Sequence, residues 1–296
     1  MISILLPAYK SDQLLEKVFI PSWVENTQAD TELIICDNGG NESETTGKLD
    51  LPMMIEEAKI LSVIKRRRVE INVIGDGKNV GLHAAYNKAF KVAKCDWFYL
   101  PHTDHYLLPN WDVELLNATR GMVASKILLC SRSVEHTKGH TNHHKILDFG
   151  KTVEEFKQKE LMEWYNKEYK NSQESNRMEV GARMPFFLHR SLLDKMADFN
   201  QKNGICDGPF DDHYFSYGQD DDIVQTAFHL GVRRFHMAWG SLVYHLGGQS
   251  NKQQNVDRGS DEPYFYFKNK WHRWYPDIDH PARHHPKNIP FGTTVR

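Results

Sequence analysis

Apolar residues along this chain gather into short β-branched runs, and the stretches between them carry apolar positions three and four residues apart. The runs are "ISILLPAY", "ELIICDNGG", "EINVIGDG" and "DWFYLPHTD", and the segments with helical spacing cover 14–24, 53–66 and 82–93. Strand, helix and strand repeated in this order predict an α/β fold with a parallel, doubly wound sheet. In such sheets ligands bind beyond the carboxyl ends of the strands. Each run here ends in something polar or backbone-permissive: Pro7-Ala8-Tyr9, Asp37-Asn38-Gly39-Gly40, Gly75-Asp76-Gly77 and His102-Thr103-Asp104. The expectation is one crevice shared by all four ends.

After Trp111 the rhythm changes. The pattern predicts a helix over 111–119, a strand over 122–130, the polar segment "SRSVEHTKGHTNHHK", and an amphipathic helix over 152–170 that buries Val153, Phe156, Trp164 or Tyr165, and Tyr169. Residues 171–182 read as a polar loop. "MPFFLHR", "RRFHMAW" and "SLVYHLGG" read as strands, with a short helix in "YGQDDDIVQTAFHLG", whose Ile223, Val224, Ala227 and Leu230 recur at i, i+1, i+4 and i+7 before Gly231 stops it. The last 46 residues, rich in Trp, Tyr, His, Lys and Arg, show no clear period.

Composition narrows the class of protein. Of the 296 residues 40% are hydrophobic and 26% charged, as in an ordinary globular chain, and a net charge of -2 gives no basic field for nucleic acid. The cysteines Cys36, Cys95, Cys130 and Cys206 are far apart and form no CxxC pair. They point to a reducing compartment, and so to a cytoplasmic location. The apolar start is broken by Pro7, too early for a signal core or a membrane span, and no 20-residue apolar run follows.

The candidate chemistry lies at strand ends. Asp104 closes an apolar strand, where a carboxylate is well placed to hold a divalent cation or else serves only as a turn residue. His245 ends "SLVYH" and precedes Gly247 and Gly248, so backbone can approach closely there. His136, His140, His143 and His144 form no zinc pattern with Cys or HExxH, which leaves a solvated loop or an acceptor contact. "NVGLHAAYN" opens a helix yet has neither GxGxxG nor a Walker lysine. The run Asp220-Asp221-Asp222 is more than a helix start requires, since capping accounts well for only one aspartate.

In order, these segments resemble glycosyltransferases of the GT-A fold, most closely the inverting family 2 enzymes, over roughly residues 2–250. "ISILLPAYK" is similar to V-S-I-V-I-P-T-Y-N, "ELIICDNGG" to E-I-I-V-V-D-D-G-S, and "NVGLHAAYN" to N-x-G-x-x-x-x-x-N. "FYLPHTDHYLLPNW" resembles the strand carrying D-x-D or N-x-D, and the segment from Asp211 to Gly248 resembles D-E-x-F-F-x-Y-G-E-D-x-D-L with a later V-x-H-x-G. Two residues depart from the pattern: His102 stands at the first acid of D-x-D, and Gln219 replaces a glutamate.

The resemblance implies a Rossmann-like, mostly parallel central sheet flanked by helices. The GT-A domain would cover 1–250, with a nucleotide-sugar-binding half at 1–110 and an acceptor half at 111–250, and 251–296 would form a C-terminal extension. It implies metal-dependent inverting transfer of a sugar from a nucleotide sugar, with a UDP-sugar favoured, to a hydroxyl acceptor such as a glycan. Pro7, Ala8, Tyr9, Asp37, Asn79, His83 and Thr103 would line the nucleotide-sugar pocket, and Asp104 and His245 would ligate Mn2+ or Mg2+. Asp220 would be the base, Asp222 a helix cap or, with Gln219, an acceptor contact, and Asp221 a solvated neighbour. A catalytically silent sugar-binding module and a sugar-nucleotide nucleotidyltransferase are the alternative readings.

Overall fold

The computed structural model describes residues 1–39, 42–43, 47–48, 56, 67–137, 144–215, 218–247 and 262–275. Strand β1 (Ile2–Ala8) leads into the helical rod α1, made of Asp12–Leu14, a π-helical Leu15–Phe19 and Ile20–Asn26. Next come β2 (Thr31–Asp37), β3 (Val69–Ile74), α2 (Leu82–Val92), β4 (Trp97–Leu100), β5 (His105–Leu107) and α3 (Trp111–Ala118). The second half contains β6 (Ile127–Glu135), α4 (Gln158–Trp164, continued by a π-helical Tyr165–Tyr169), β7 (Met178–Val180), β8 (Phe186–His189) and α5 (Arg190–Lys202). It closes with α6 (Gln219–His229), β9 (Arg234–His245) and α7 (Glu262–His272).

The main path of the sheet runs β7-β9-β6-β8-β4-β1-β2-β3, with β5 paired to β9. β1 is parallel to β2 and β4, β2 to β3, and β6 to β9, whereas β8 lies antiparallel between β4 and β6. Two antiparallel steps restore direction. The carboxyl ends of β1, β2, β3, β4, β6 and β9 therefore share one edge, and the sheet is continuous through both halves of the chain.

Alternation along the central strands feeds two cores, since successive side chains point to opposite faces. Leu5, Ile34, Phe98 and Leu100 pack against Tyr86 and Ala89 of α2, Leu192 and Met196 of α5, and Ile223 and Ala227 of α6. Ile4, Leu6, Leu33, Ile35 and Tyr99 pack instead against Phe19 and Trp23 of α1 and Trp111 and Leu115 of α3.

Several boundaries differ from the sequence pattern. The strand expected over 122–130 runs over Ile127–Glu135, and the helix expected from 152 begins at Gln158 because Asp148 Oδ1 and Thr152 Oγ1 hold Gly150 N and Glu155 N in side-chain-capped turns. "RRFHMAW" and "SLVYHLGG" form one strand with a register shift between Ala238 and Leu242. The loop 171–182 contains the short β7. Helix α5 is not among the predicted elements, although Leu192, Leu193, Met196 and Phe199 follow helical spacing. The extension expected to lack a period contains α7, whose Phe267 and Trp271 pack with Phe199 and Tyr214. The helix expected over 53–66 lies, apart from Glu56, outside the described residues. No helix among the described residues is long and apolar enough to cross a membrane.

Candidate active site

At the β1–β2–β3 end the crevice is made from main chain. Asn38 N donates to Ala8 O at 2.8 Å and Lys10 N to Gly39 O at 3.2 Å, so the exits of β1 and β2 stay together past the sheet. Asp37 is half-buried and its Oδ1 accepts from Gly39 N at 3.0 Å. Gly39 has a φ of +92°, and a Cβ there would collide with the Gly77 carbonyl. Only glycine fits such an approach. Asn38, 4% exposed, braces the next loop: its Nδ2 donates to Asn79 Oδ1 at 3.0 Å, and its Oδ1 accepts from Val80 N at 2.9 Å.

The structure thus places Pro7, Ala8, Tyr9, Asp37 and Asn79 around one set of strand ends, with Asn79 Oδ1 also accepting from Gly81 N at 3.1 Å. His83 is placed differently. Its ring is fully buried between Phe210 and Tyr214, and Nδ1 donates to the Asp211 carbonyl at 2.8 Å. Burial holds its pKa down to about 4, so it is a neutral core histidine and not a pocket wall. Apolar helix spacing after Gly81 turns that ring inward.

The β4–β6–β9 end is made from charge. Tyr86 OH donates to Pro101 O at 2.9 Å and fixes the exit of β4, after which Thr103, Asp104 and His105 are all buried. Register brings the rest: in β9, His245 lies opposite His105 of β5 on one side and Glu135 of β6 on the other. His245 Nε2 is 3.4 Å from Asp104 Oδ2, and its Nδ1 is 3.2 Å from Glu135 Oε1. His144 Nδ1 lies 3.5 Å from the same Glu135 oxygen. Burial opposes the charged form of Asp104, but the charge and hydrogen bond of His245, together with His105 and His102, outweigh it and hold the carboxyl well below its usual range. Burial likewise opposes a charged His245, and Asp104 and Glu135 raise it to about 10.

One donor atom each from His102, Asp104 and His105 lie within 4.8 Å of one another. His105 Nδ1 accepts from His102 N at 3.1 Å, so the proton of the neutral ring sits on Nε2 and neither nitrogen is free to ligate. His102 is different, because its Nε2 is buried with no hydrogen-bond partner. Glu135 on His245 Nδ1 turns Nε2 toward Asp104, as an outer-sphere carboxylate does behind a metal-ligating histidine. One carboxylate and two imidazoles, Asp104, His245 and His102, are a donor set that fits a divalent transition ion. His140 and His143 lie outside the described residues.

Helix α6 presents the three aspartates in different settings. Asp220 is half-buried in the first turn of α6, and its charge is in electrostatic reach of His102, His83 and Tyr86. Asp221 is half-buried and not the solvated neighbour expected: burial, then Asp220, push its pKa to about 7 against the pull of Arg183. Asp222 was expected as cap or acceptor contact, yet it is 2% exposed and both its oxygens lie 2.8 Å from Lys270 Nζ. Trp271 Nε1 also donates to Asp222 Oδ1 at 2.8 Å. Gln219 is buried at 7% exposure.

Asn38, Glu135, His102 as a donor, and Lys270 were not singled out as site residues from the sequence. Lys270 left a trace there: it shares a helical stripe with Phe267 and Trp271, and a lysine on an apolar stripe needs a buried acid. Glu135 left a weaker one, as a charge ending an otherwise buried strand.

The sequence model for "Glycosyl transferase family 2" matches residues 3–187. No curated protein sequence is a significant match. Among solved structures, S. aureus TarS 1-349 superposes with a TM-score of 0.50 at 11% identity, covering 100% of this chain and 75% of that one. GalNAc-T7 with UDP, GalNAc and Mn2+ superposes with a TM-score of 0.53 at 13% identity, covering 91% of this chain and 50% of that one. At these identities the likeness is one of fold.

Proposed function

The chain belongs to glycosyl transferase family 2 and is a nucleotide-sugar-dependent glycosyltransferase, and from that premise we propose that it is a metal-dependent inverting enzyme that uses a UDP-sugar and a hydroxyl acceptor. The observation that carries this reading is the Asp104–His245 pair at the sheet edge that also carries the main-chain wall at Asp37 and Gly39, with Asp220 in electrostatic reach of His102. The GalNAc-T7 structure, of like fold, contains UDP, GalNAc and Mn2+, which agrees with that chemistry.

In this reading Pro7, Ala8, Tyr9, Asp37, Asn38 and Asn79 hold the base and ribose, and Thr103 lies where the strand end meets the sugar. Asp104, His245 and His102 would hold a divalent cation, which would supply positive charge against the leaving diphosphate. To ligate such a cation, His245 would have to give up the proton that Asp104 and Glu135 favour on it. Asp220 accepts the proton of the acceptor hydroxyl as its oxygen bonds to the anomeric carbon. The bond from that carbon to the diphosphate oxygen breaks on the opposite face, and the nucleoside diphosphate departs with the electron pair. Attack from the opposite face inverts the anomeric centre.

The test is thermal stability in UDP-GlcNAc, UDP-GalNAc and GDP- or dTDP-sugars with and without Mn2+ or Mg2+, followed by release of the nucleoside diphosphate. A UDP-sugar should raise the melting temperature only when the cation is present, because a ligand bound to the folded state stabilises by mass action. A melting temperature that moves with no nucleotide sugar at millimolar cation would remove the donor assignment. Binding without any turnover would favour the catalytically silent module.

A further inference from the structure

Helix α7 is tied to the molecule through acids as well as through apolar packing. Lys270 is 7% exposed, and its Nζ lies 2.8 Å from Asp211 Oδ2 and 2.8 Å from each oxygen of Asp222. Tyr266 OH donates to Asp211 Oδ2 at 2.9 Å, and Pro263 faces Gly218, the residue that caps α6. Both ends of α7 therefore bear on the segment from Asp211 to Asp222. Apolar packing could hold a helix here without desolvating three charges, so the ion cluster is to be understood by what it orients.

Asp211 and Asp222 belong to the two parts that frame the crevice. The Asp211 carbonyl accepts from His83 of α2, and Asn87 of the same helix exchanges two bonds with the main chain of Phe210, at 2.6 and 3.0 Å. Asp222 lies in the first turn of α6, two residues beyond Asp220. At 3.6 residues per turn those two side chains are about 200° apart around the helix axis. With Asp222 fastened toward α7, Asp220 has to face away from it, and its charge is in electrostatic reach of His102.

We infer that Lys270 is a positioning residue for Asp220: by clamping Asp211 to Asp222 it fixes the roll of the first turn of α6 and aims the base at the crevice. The inference rests on the reading of Asp220 as the base given above. It makes α7, which lies beyond the residues matched by the family, part of the working enzyme.

The test compares Lys270→Met with the double variant Lys270→Met/Asp222→Asn, using UDP-GlcNAc and UDP-GalNAc with Mn2+ as probes. The double variant retains the cluster's net charge: Asp211, Asp222 and Lys270 sum to -1, and Asp211 alone is also -1. It thus separates positioning from charge balance, even if Lys270→Met alone does not fold. UDP release gives kcat and KM, and titration gives donor affinity. The double variant should bind donor and Mn2+ as the unaltered protein does while kcat falls about 10²-fold, the loss expected from misplacing a catalytic group by about 1 Å. Turnover at the unaltered rate, or a loss confined to KM or melting temperature, overturns the inference and makes Lys270 a charge balancer only. If the unaltered protein itself neither binds nor turns over these donors, the functional reading falls and this inference with it.

Discussion

At the β1–β2–β3 end the crevice wall is main chain, closed by Gly39 against Gly77 and by the paired amides of Asn38 and Asn79. At the β4–β6–β9 end it is charge, with Asp104, His245 and Glu135 in one chain of contacts and Asp220 in electrostatic reach. The first wall recognises shape and hydrogen-bond pattern, and needs only that the backbone approach closely. The second must keep buried charges in defined states, so each of its groups needs a partner from another strand or helix. Substitutions should therefore act on rate and metal affinity at one end, and on geometry and stability at the other.

The largest expected effect is at the charged end. Asp220→Asn retains size but cannot take the acceptor's proton, so turnover should fall by about 10² to 10⁴-fold while donor and cation affinity persist. Steady-state kinetics beside a donor titration checks this. Full turnover in that variant would shift the role of base to Asp221, or to Asp211 and Asp212.

Next in size is the cation site. Asp104→Ala and His245→Ala should each remove most metal-dependent donor binding, because a direct donor is lost. Glu135→Gln should weaken metal affinity by about 10 to 100-fold through the orientation of His245. Mn2+ titration followed by spin resonance reads all three. An Asp104 or His245 variant with unchanged metal affinity loses its place as a ligand, and a silent Glu135→Gln would mean that the His245 ring is held by packing alone.

The same contrast decides what was legible in the sequence. The parallel sheet and the shared edge were legible because period and strand-end chemistry are local: "ISILLPAY" and "ELIICDNGG" show both in under ten residues. Asp37 and Gly39 were visible for that reason. Partners were not visible, because Glu135 meets His245 across 110 positions and Lys270 meets Asp222 across 48. Reading Asp222 as a cap or acceptor contact followed from its place in the helix, but burial by a helix nearly fifty residues later decides its use. His83 misled in the opposite way: motif position suggested the pocket, and the inward face of α2 put it in the core.

The main-chain wall gives a smaller effect. Gly39→Ala has to relieve both a φ of +92° and the collision with the Gly77 carbonyl, which should cost about 1 to 3 kcal/mol of stability and loosen nucleotide binding, with little change in cation affinity. Denaturant unfolding together with UDP titration checks it. If metal affinity fell as far as nucleotide affinity, the two walls would not be separate materials.

The last test is the sharpest one of how charge is held beside the base. The Asp221 carboxyl is pushed up to about 7, by burial and then by Asp220, from an ordinary value of 3.8 in the unfolded chain. Between those two values the folded protein binds more protons at this site than the unfolded chain, so its contribution lowers stability as pH rises from about 4 to about 7 and is level outside that window. The whole-protein curve mixes this with other groups: His83, held down to about 4, adds a slope of opposite sign, and Asp12, raised to about 6, adds one of the same sign. Asp221→Asn isolates the one group. The melting temperatures of variant and unaltered protein should coincide near pH 4, part steadily up to about pH 7 and stay apart above it, with the variant higher. A gap that is the same at every pH would mean that Asp221 ionises as an ordinary surface carboxylate, and that the acids of α6 are less crowded than their burial indicates.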